Sequence, residues 1–325
     1  MTSVAESVRE GDVLGEARAE SVFKSVLDGT MPDAEVEALL VALHQRKEAV
    51  SEIVGAARAA ERLLVPFKAP GLERALDTCG TGGDGCNTFN VSTAVALAAA
   101  AWGATVVKHG NRAASSKSGS ADVLEALGFA LDAPHALLAT KRFAFLFAPA
   151  HHPGFARVAP IRRRLGHRTI FNLLGPLVNP AGVRRQVMGV FDESWVEPIG
   201  RVLARLGRTR AMVVHGGLGE ATTDEVAPWG ETKIAVIEGG EVRLRTFTPS
   251  KRFTLDGARG GDAKENAAIV RAVLGGEGTG AAQELVALNL AAAMWAHGDG
   301  GVFEDNLDDA RRFLSSGETR AFFSL

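Results

Sequence analysis

Apolar residues recur at helical spacing near the start of the chain. Val36, Leu39, Leu40 and Leu43 follow i, i+3, i+4, i+7 after Pro32-Asp33, and Ile53, Ala56, Ala57, Ala60 and Leu64 repeat the pattern. Each set makes one apolar helix face, so the first 70 or so residues are predicted to be helical. "VPFKAPG", 65–71, carries two prolines and a glycine and reads as a hinge or linker. Beyond it the pattern changes. "ALDTC" is a short strand, a helix runs from about Val91 to Trp102, and Gly103 stops it before the strand "ATVVKHG". These three make a βαβ unit. Further on, "RQVMGVF" and "TRAMVVHG" read as buried strands around the helix "WVEPIGRVLARLG", and "AAQELVALNLAAAMWAHG" is a strong helix ended at Gly298. The predicted architecture is α/β: a small N-terminal helical domain on a larger α/β domain with a central, mostly parallel sheet.

The first strand and helix are joined by "GTGGDGCNTFN", with glycines at 80, 82, 83 and 85. Peptide N–H groups are unpaired where a loop enters a helix, and the helix dipole is positive there. Glycines let consecutive N–H groups converge into a nest for an anion, phosphate above all. Asn90, Ser92 and Thr93 stand at the helix start, placed to cap it or to donate to phosphate. The loop lacks G-x-x-x-x-G-K-[ST], which argues against a P-loop. "GTGGDG" has the letters of a dinucleotide fingerprint, but its helix begins too late and Asp84 would face the phosphate. A second polar stretch, 108–128, holds Lys108, Arg112, Lys117 and four serines, with two glycines before the helix "SADVLEALG". Ends of adjacent parallel strands open on one edge, so both stretches should face one crevice, suited to a polyphosphate-like ligand.

The chain has 325 residues, 46% hydrophobic and 23% charged, with net charge -2 and a pI of about 6.5. This is ordinary globular composition. It favours neither nucleic acid nor an anionic membrane, and the four scattered tryptophans build no base-stacking platform. The polar N-terminus gives no signal peptide, and the longest apolar run is shorter than the about 18 residues of a membrane span. Cys79 and Cys86 are too few for a disulfide framework or a Cys-only zinc site and read as reduced thiols. His151-His152 has no metal-ligand spacing around it, and Asp77 reads as a loop anchor.

"GTGGDGCNTFNVST", "KHGNRAASSKSGSADVLEALG" and "RTIFNLLGPLVNPAG", in that order, closely resemble the anthranilate phosphoribosyltransferase family. The likeness runs from about residue 20 to the C-terminus, leaving about 1–18 as an extension. It implies a helical domain over 1–70, joined in space by part of 160–185, and a phosphoribosyl pyrophosphate-binding α/β domain over 71–325. It implies a cytoplasmic homodimer of tryptophan biosynthesis that uses Mg²⁺ and transfers the 5-phosphoribosyl group from 5-phosphoribosyl-1-pyrophosphate to the amine of anthranilate. By motif, Gly80, Gly83, Asp84, Thr88, Asn90, Ser92, Thr93, Lys108, Ser116 and Ser120 match its phosphoribosyl pyrophosphate site. Gly80, His109, Asn111 and Arg162 match its anthranilate site, with Arg163 and Arg164 alternatives to Arg162. Ser92, Asp224 and Glu225 match its magnesium ligands. "HGGLGEATTDE" is about four residues longer than the family pattern, which leaves Gly219-Glu220 as a second alignment of the acidic pair. Two rival readings remain: a nucleoside phosphorylase-like enzyme, which needs no acidic pair for magnesium pyrophosphate, and a nucleic-acid-binding relative, which needs a basic surface.

Overall fold

The computed structural model describes residues 3–113, 117–298 and 300–323. The chain opens with four helices: α1 (Val4–Arg9), α2 (Glu16–Asp28), α3 (Asp33–Arg46) and α4 (Val50–Leu63). The apolar residues at helical spacing in α3 and α4 turn inward together, and Val36, Leu39, Leu40, Leu43, Ile53, Ala56, Ala57 and Ala60 are all buried. The first residues are no appendage. Ser3 and Glu6 form a capping box that starts α1, Val8 and Leu14 are fully buried, and the Leu14 N–H donates to Glu52 Oε1 at 3.0 Å. The expected extension over about 1–18 is therefore corrected for residues 3–18, which belong to the helical bundle, where apolar side chains tuck under α3 and α4. Glu52 also accepts from the Ala49 N–H at 2.8 Å and pairs with Arg46 at 2.5 Å, so its buried charge is compensated.

Strand β1 (Leu76–Gly80), α5 (Val91–Trp102) and β2 (Val106–Gly110) form the expected βαβ unit. After α6 (Ser120–Ala126) and α7 (Pro134–Lys141) comes β3 (Phe143–Phe147), a strand that the hydrophobic pattern did not reveal. A continuous run such as "FAFLF" has no period to separate strand from helix. Helices α8 (Ala148–His151), α9 (Pro153–Leu165) and α10 (Phe171–Leu177) return the chain to the bundle. Strand β4 (Arg185–Gly189), α11 (Val196–Arg205) and β5 (Arg210–Leu218) follow, then β6 (Glu231–Glu238) and β7 (Glu241–Phe247). Helices α12 (Ala263–Leu274), α13 (Gly280–His297) and α14 (Leu307–Ser316) complete the chain.

The seven strands lie in the order β3-β2-β1-β4-β5-β6-β7. The first five are mutually parallel, and β6 and β7 are antiparallel. Both faces are covered. Val187, Met212, Val214 and Ile234 pack with α5, α12 and α13, while Met188, Val213, Ala235 and Ile237 pack with the N-terminal helices, α9, α10 and α11. From β1 the chain steps outward to β2 and β3, then returns to β4 on the other side of β1. The carboxyl ends of β1 and β4 therefore flank a topological switch point, where open α/β sheets bind their ligands.

The bundle is tightest where α2 crosses α4. A Cβ on Gly55 would lie 2.5 Å from the Glu16 carbonyl oxygen and 2.6 Å from the Ala19 Cβ. Gly55→Val is expected to destabilise the fold by about 3 kcal/mol through overpacking. Urea unfolding of purified wild type and variant checks this, and an unchanged midpoint would show that the two helices separate freely.

Candidate active site

Two glycines open the switch point. Gly80 ends β1 and Gly189 ends β4, paired side by side in register. A Cβ on Gly80 would stand 2.2 Å from Asp224 Oδ2, and one on Gly189 would stand 1.6 Å from the Asp224 carbonyl oxygen. Asp224 is thus seated directly over the strand ends. The Gly82 N–H donates to its Oδ2 at 3.0 Å. The glycine loop follows, with Gly82, Gly83 and Gly85 at φ of 63°, 76° and 80°, the left-handed region that side chains avoid. Asp84 turns toward the acidic pair: its Oδ2 accepts from the Thr223 hydroxyl at 3.0 Å and the Asp224 N–H at 3.2 Å. Its Oδ1 accepts from the Cys86 N–H at 3.1 Å.

The four-residue surplus before the acidic pair is closed off locally. Gly216 and Thr223 exchange backbone hydrogen bonds of 2.8 and 2.9 Å, so the end of β5 and residues 219–222 form a loop closed at its base. Glu220 is exposed on that loop, while Asp224 and Glu225 lie at the strand ends.

Burial raises the Asp224 pKa to about 7, with the like charge of Asp84 adding to it. Burial also pushes Glu225 well above the usual carboxylate range, and Asp224 and Asp84 push it further. Three carboxyl groups thus meet with little compensating charge. The nearest cation is Lys108, whose Nζ donates to the Thr78 carbonyl oxygen at 2.5 Å and to Ser92 Oγ at 3.1 Å. Lys108 is buried, which lowers its own pKa. A small cavity lined by Thr78, Ser92, Gly189, Glu225 and Asn289 adjoins these groups.

Helix α5 starts at this edge. Asn90 occupies its N-cap position without a capping bond; its Oδ1 accepts from Ser118 Oγ at 3.0 Å and from Asn266 Nδ2 at 2.9 Å. Thr93 is buried, and its hydroxyl has no partner among the described residues. Thr88 pairs with Arg259 in an isolated bridge. From β2, His109 is buried, and its Nε2 has no partner among the described residues. Burial and the neighbouring His152 lower its pKa to about 3, so it is neutral at pH 7. Ser120 Oγ donates to the Asn111 carbonyl oxygen at 3.3 Å. Ser116 lies outside the described residues.

Of the three consecutive arginines on α9, Arg162 is half-buried, and Arg163 and Arg164 are exposed. Arg164 pairs with Glu37 at 3.0 Å. Arg162 lies over the Phe171 ring and approaches Asn172 Oδ1 at 3.4 Å. Both cysteines are free, and burial pushes the Cys86 thiol to about 11, which leaves it no thiolate character.

Several supporting residues were not anticipated. Asn289, buried in α13, accepts from the Val226 N–H at 2.9 Å and donates to its carbonyl oxygen at 3.0 Å, anchoring the acidic pair from behind. A lone asparagine in the apolar run "ELVALNLAAAMW" was a visible signal. Arg168 stacks on Phe191 with 3.8 Å between guanidinium carbon and ring centroid, and donates to the Gly83 carbonyl oxygen. Asp77 is buried, as a loop anchor would be, and accepts from Asn179 Nδ2 at 2.9 Å.

Comparison with known proteins follows the same lines. Residues 72–320 match the model of the glycosyl transferase family a/b domain, and residues 2–62 match that family's helical bundle domain. The chain is 46% identical to an anthranilate phosphoribosyltransferase of Paramagnetospirillum magneticum, over 99% of this chain and 93% of that one. A crystal structure of anthranilate phosphoribosyltransferase from Thermus thermophilus superposes with a TM-score of 0.89 at 41% identity, covering 98% and 96% of the two chains. The enzyme of Saccharomyces cerevisiae in complex with PRPP and Mg superposes with a TM-score of 0.81 at 28% identity, covering 95% and 92%.

The raised pKa of Asp224 sets a pH dependence. Its folded value of about 7 exceeds the ordinary 3.8. Between those values the folded protein keeps a proton that the unfolded chain has released, so stability falls as pH rises through the window. Asp224→Asn removes that penalty. Without divalent cations, its Tm should exceed that of wild type above about pH 7 and match it below about pH 4. Calorimetric scans across pH test this; a Tm difference independent of pH would show that Asp224 ionises as an exposed carboxyl does.

Proposed function

This chain belongs to the glycosyl transferase family, among its anthranilate phosphoribosyltransferases, and we propose the following division of labour for its site. The anthranilate nitrogen attacks C1 of phosphoribosyl pyrophosphate. The C1–oxygen bond breaks, the electron pair leaves with pyrophosphate, and the amine loses a proton. The observation that carries this reading is the Asp224 carboxylate, seated between Gly80 and Gly189 over the switch point and beside a glycine nest.

The glycine loop at Gly80, Gly83 and Asp84, with Thr88 beside it, surrounds the pyrophosphate. Its left-handed glycines turn N–H groups toward the anion. Asn90, Ser92 and Thr93 meet the phosphoribosyl phosphates at the start of α5, where the helix dipole favours negative charge. Lys108 fixes Ser92 by a direct hydrogen bond and brings positive charge to the floor of the site. Ser116 and Ser120 complete the second phosphoribosyl-binding stretch. Arg162 receives the anthranilate carboxylate through its planar fork; it is the half-buried member of the three, and among the described residues it has no carboxylate partner. His109 and Asn111 border the aromatic ring. A neutral imidazole with a pKa of about 3 is a poor base, so rate enhancement rests on positioning and charge stabilisation.

The donor set fits magnesium. Ser92, Asp224 and Glu225 are oxygen donors, and burial with mutual repulsion raises the pKa of both acids, so their ionised forms lack the positive charge that a cation would supply. Among the described residues no group of three or more His, Cys, Asp or Glu side chains is arranged to hold a metal alone, which suits an ion that takes few carboxylates and fills its shell with water and substrate oxygens. When bound, Mg²⁺ spreads the charge of the departing pyrophosphate. The same reading includes a cytoplasmic homodimer joined through the helical bundle, where Val4, Met31, Ala34 and Ala38 line an apolar groove. No helix among the described residues is long and apolar enough to cross a membrane.

Loss of anthranilate fluorescence on addition of phosphoribosyl pyrophosphate and Mg²⁺ measures the reaction. The double variant Asp224→Asn/Glu225→Gln is expected to lose about 100-fold or more in kcat/KM, because metal stabilisation is worth several kcal/mol. EDTA should abolish turnover of the wild type. Full activity in the folded variant would move the metal site elsewhere, and no fluorescence loss with folded wild type would overturn the transfer.

A further inference from the structure

Asn266, in the first turn of α12, holds together segments far apart in sequence. It is buried, and every polar atom of its side chain is used. The Gly261 N–H donates to its Oδ1 at 2.7 Å. Its Nδ2 donates to Asn90 Oδ1 at 2.9 Å and to Ser118 Oγ at 2.7 Å. Ser118 Oγ in turn donates to Asn90 Oδ1 at 3.0 Å.

The direction of these bonds is forced. A backbone N–H can only donate, so Gly261 requires Asn266 to present its oxygen on that side. The Asn266 amide nitrogen must then face Asn90 and Ser118, and Asn90 must offer its own oxygen to both. This leaves the Asn90 Nδ2, a donor, as the free end of the side chain: among the described residues it has no acceptor. The start of the relay is itself fixed. Residues 258–260 run against 87–89, with the Gly260 N–H donating to the Asn87 carbonyl oxygen at 2.8 Å and the Phe89 N–H to that of Ala258 at 3.2 Å. A Cβ on Gly260 would come within 2.7 Å of the Phe89 backbone, so only glycine permits the approach.

We propose that Asn266 is a positioning residue for the transferase reaction: it sets the polarity of Asn90, so that a donor and not an acceptor faces the phosphoribosyl pyrophosphate. The inference rests on the assignment of Asn90 to that substrate's site. Without the relay, the Asn90 amide would be free to turn, and an oxygen facing a phosphate repels it.

Asn266→Asp is the discriminating variant. It keeps the volume and the Gly261 bond but replaces two donors with an acceptor, which draws the Asn90 amide nitrogen inward. KM for phosphoribosyl pyrophosphate should rise about 10- to 100-fold, as for loss of a hydrogen bond to a charged group. KM for anthranilate, and kcat at saturating phosphoribosyl pyrophosphate, should stay within about twofold. Asn90→Ala should raise the same KM, and adding Asn266→Asp to it should raise it no further, because a residue that acts through another is not additive with it. Ser118→Ala, which removes one of the two donors to Asn90, should give a smaller increase and serves if Asn266→Asp does not fold. An unchanged KM in folded Asn266→Asp, or in Ser118→Ala if that is the variant that folds, would overturn the relay. An equal further rise in the Asn90→Ala background would also overturn it. An unchanged KM in Asn90→Ala would instead overturn the assignment of Asn90 itself.

Discussion

The structure turns on a side chain that fits only because two others are missing. Asp224 reaches over the ends of β1 and β4 into space that a methyl group on Gly80 or Gly189 would fill. That contact joins the parallel half of the sheet to the loop between β5 and β6, which comes from its antiparallel edge. The Gly82 N–H meets the carboxylate from the glycine loop, and Asp84 meets its backbone and the neighbouring threonine. The glycine loop and the acidic pair are therefore joined by hydrogen bonds into one assembly.

That assembly is costly for the free protein. Three carboxyl groups sit together, two of them with pKa values raised by burial and mutual repulsion. Several of the groups around them are anchored by hydrogen bonds. Asn289 clamps the Val226 backbone behind the pair, Lys108 bridges Thr78 and Ser92 below it, and Asn179 ties Asp77 to the Val107 carbonyl oxygen. Buried polar groups of this kind rigidify a site when each finds its partner. The strain stays in the acids, where a divalent cation would relieve it, as expected of a site that trades stability for function.

Much of this was legible in the sequence, for local reasons. Glycines at 80, 82, 83 and 85 before a helix pointed either to a turn without a ligand or to a backbone that approaches something closely, and the helix begins at Val91 as the pattern indicated. The helical face at Val36, Leu39, Leu40 and Leu43 is buried as its period requires. Other elements gave no local signal. Strand β3 is a uniform apolar run, and α1 is a single capped turn and a half whose burial depends on α3 and α4 being present.

The sequence by itself determined the fold class and the place of the glycine loop before α5, because each depends on period or turn chemistry. It did not determine what Asp224 touches, which of three neighbouring arginines turns inward, or that Asn266 meets Asn90 across 176 positions of chain. Those facts follow from the order of the strands and from the way β4 returns beside β1. Only tertiary structure decided them, since a hydrogen bond between distant segments leaves no period behind in the sequence.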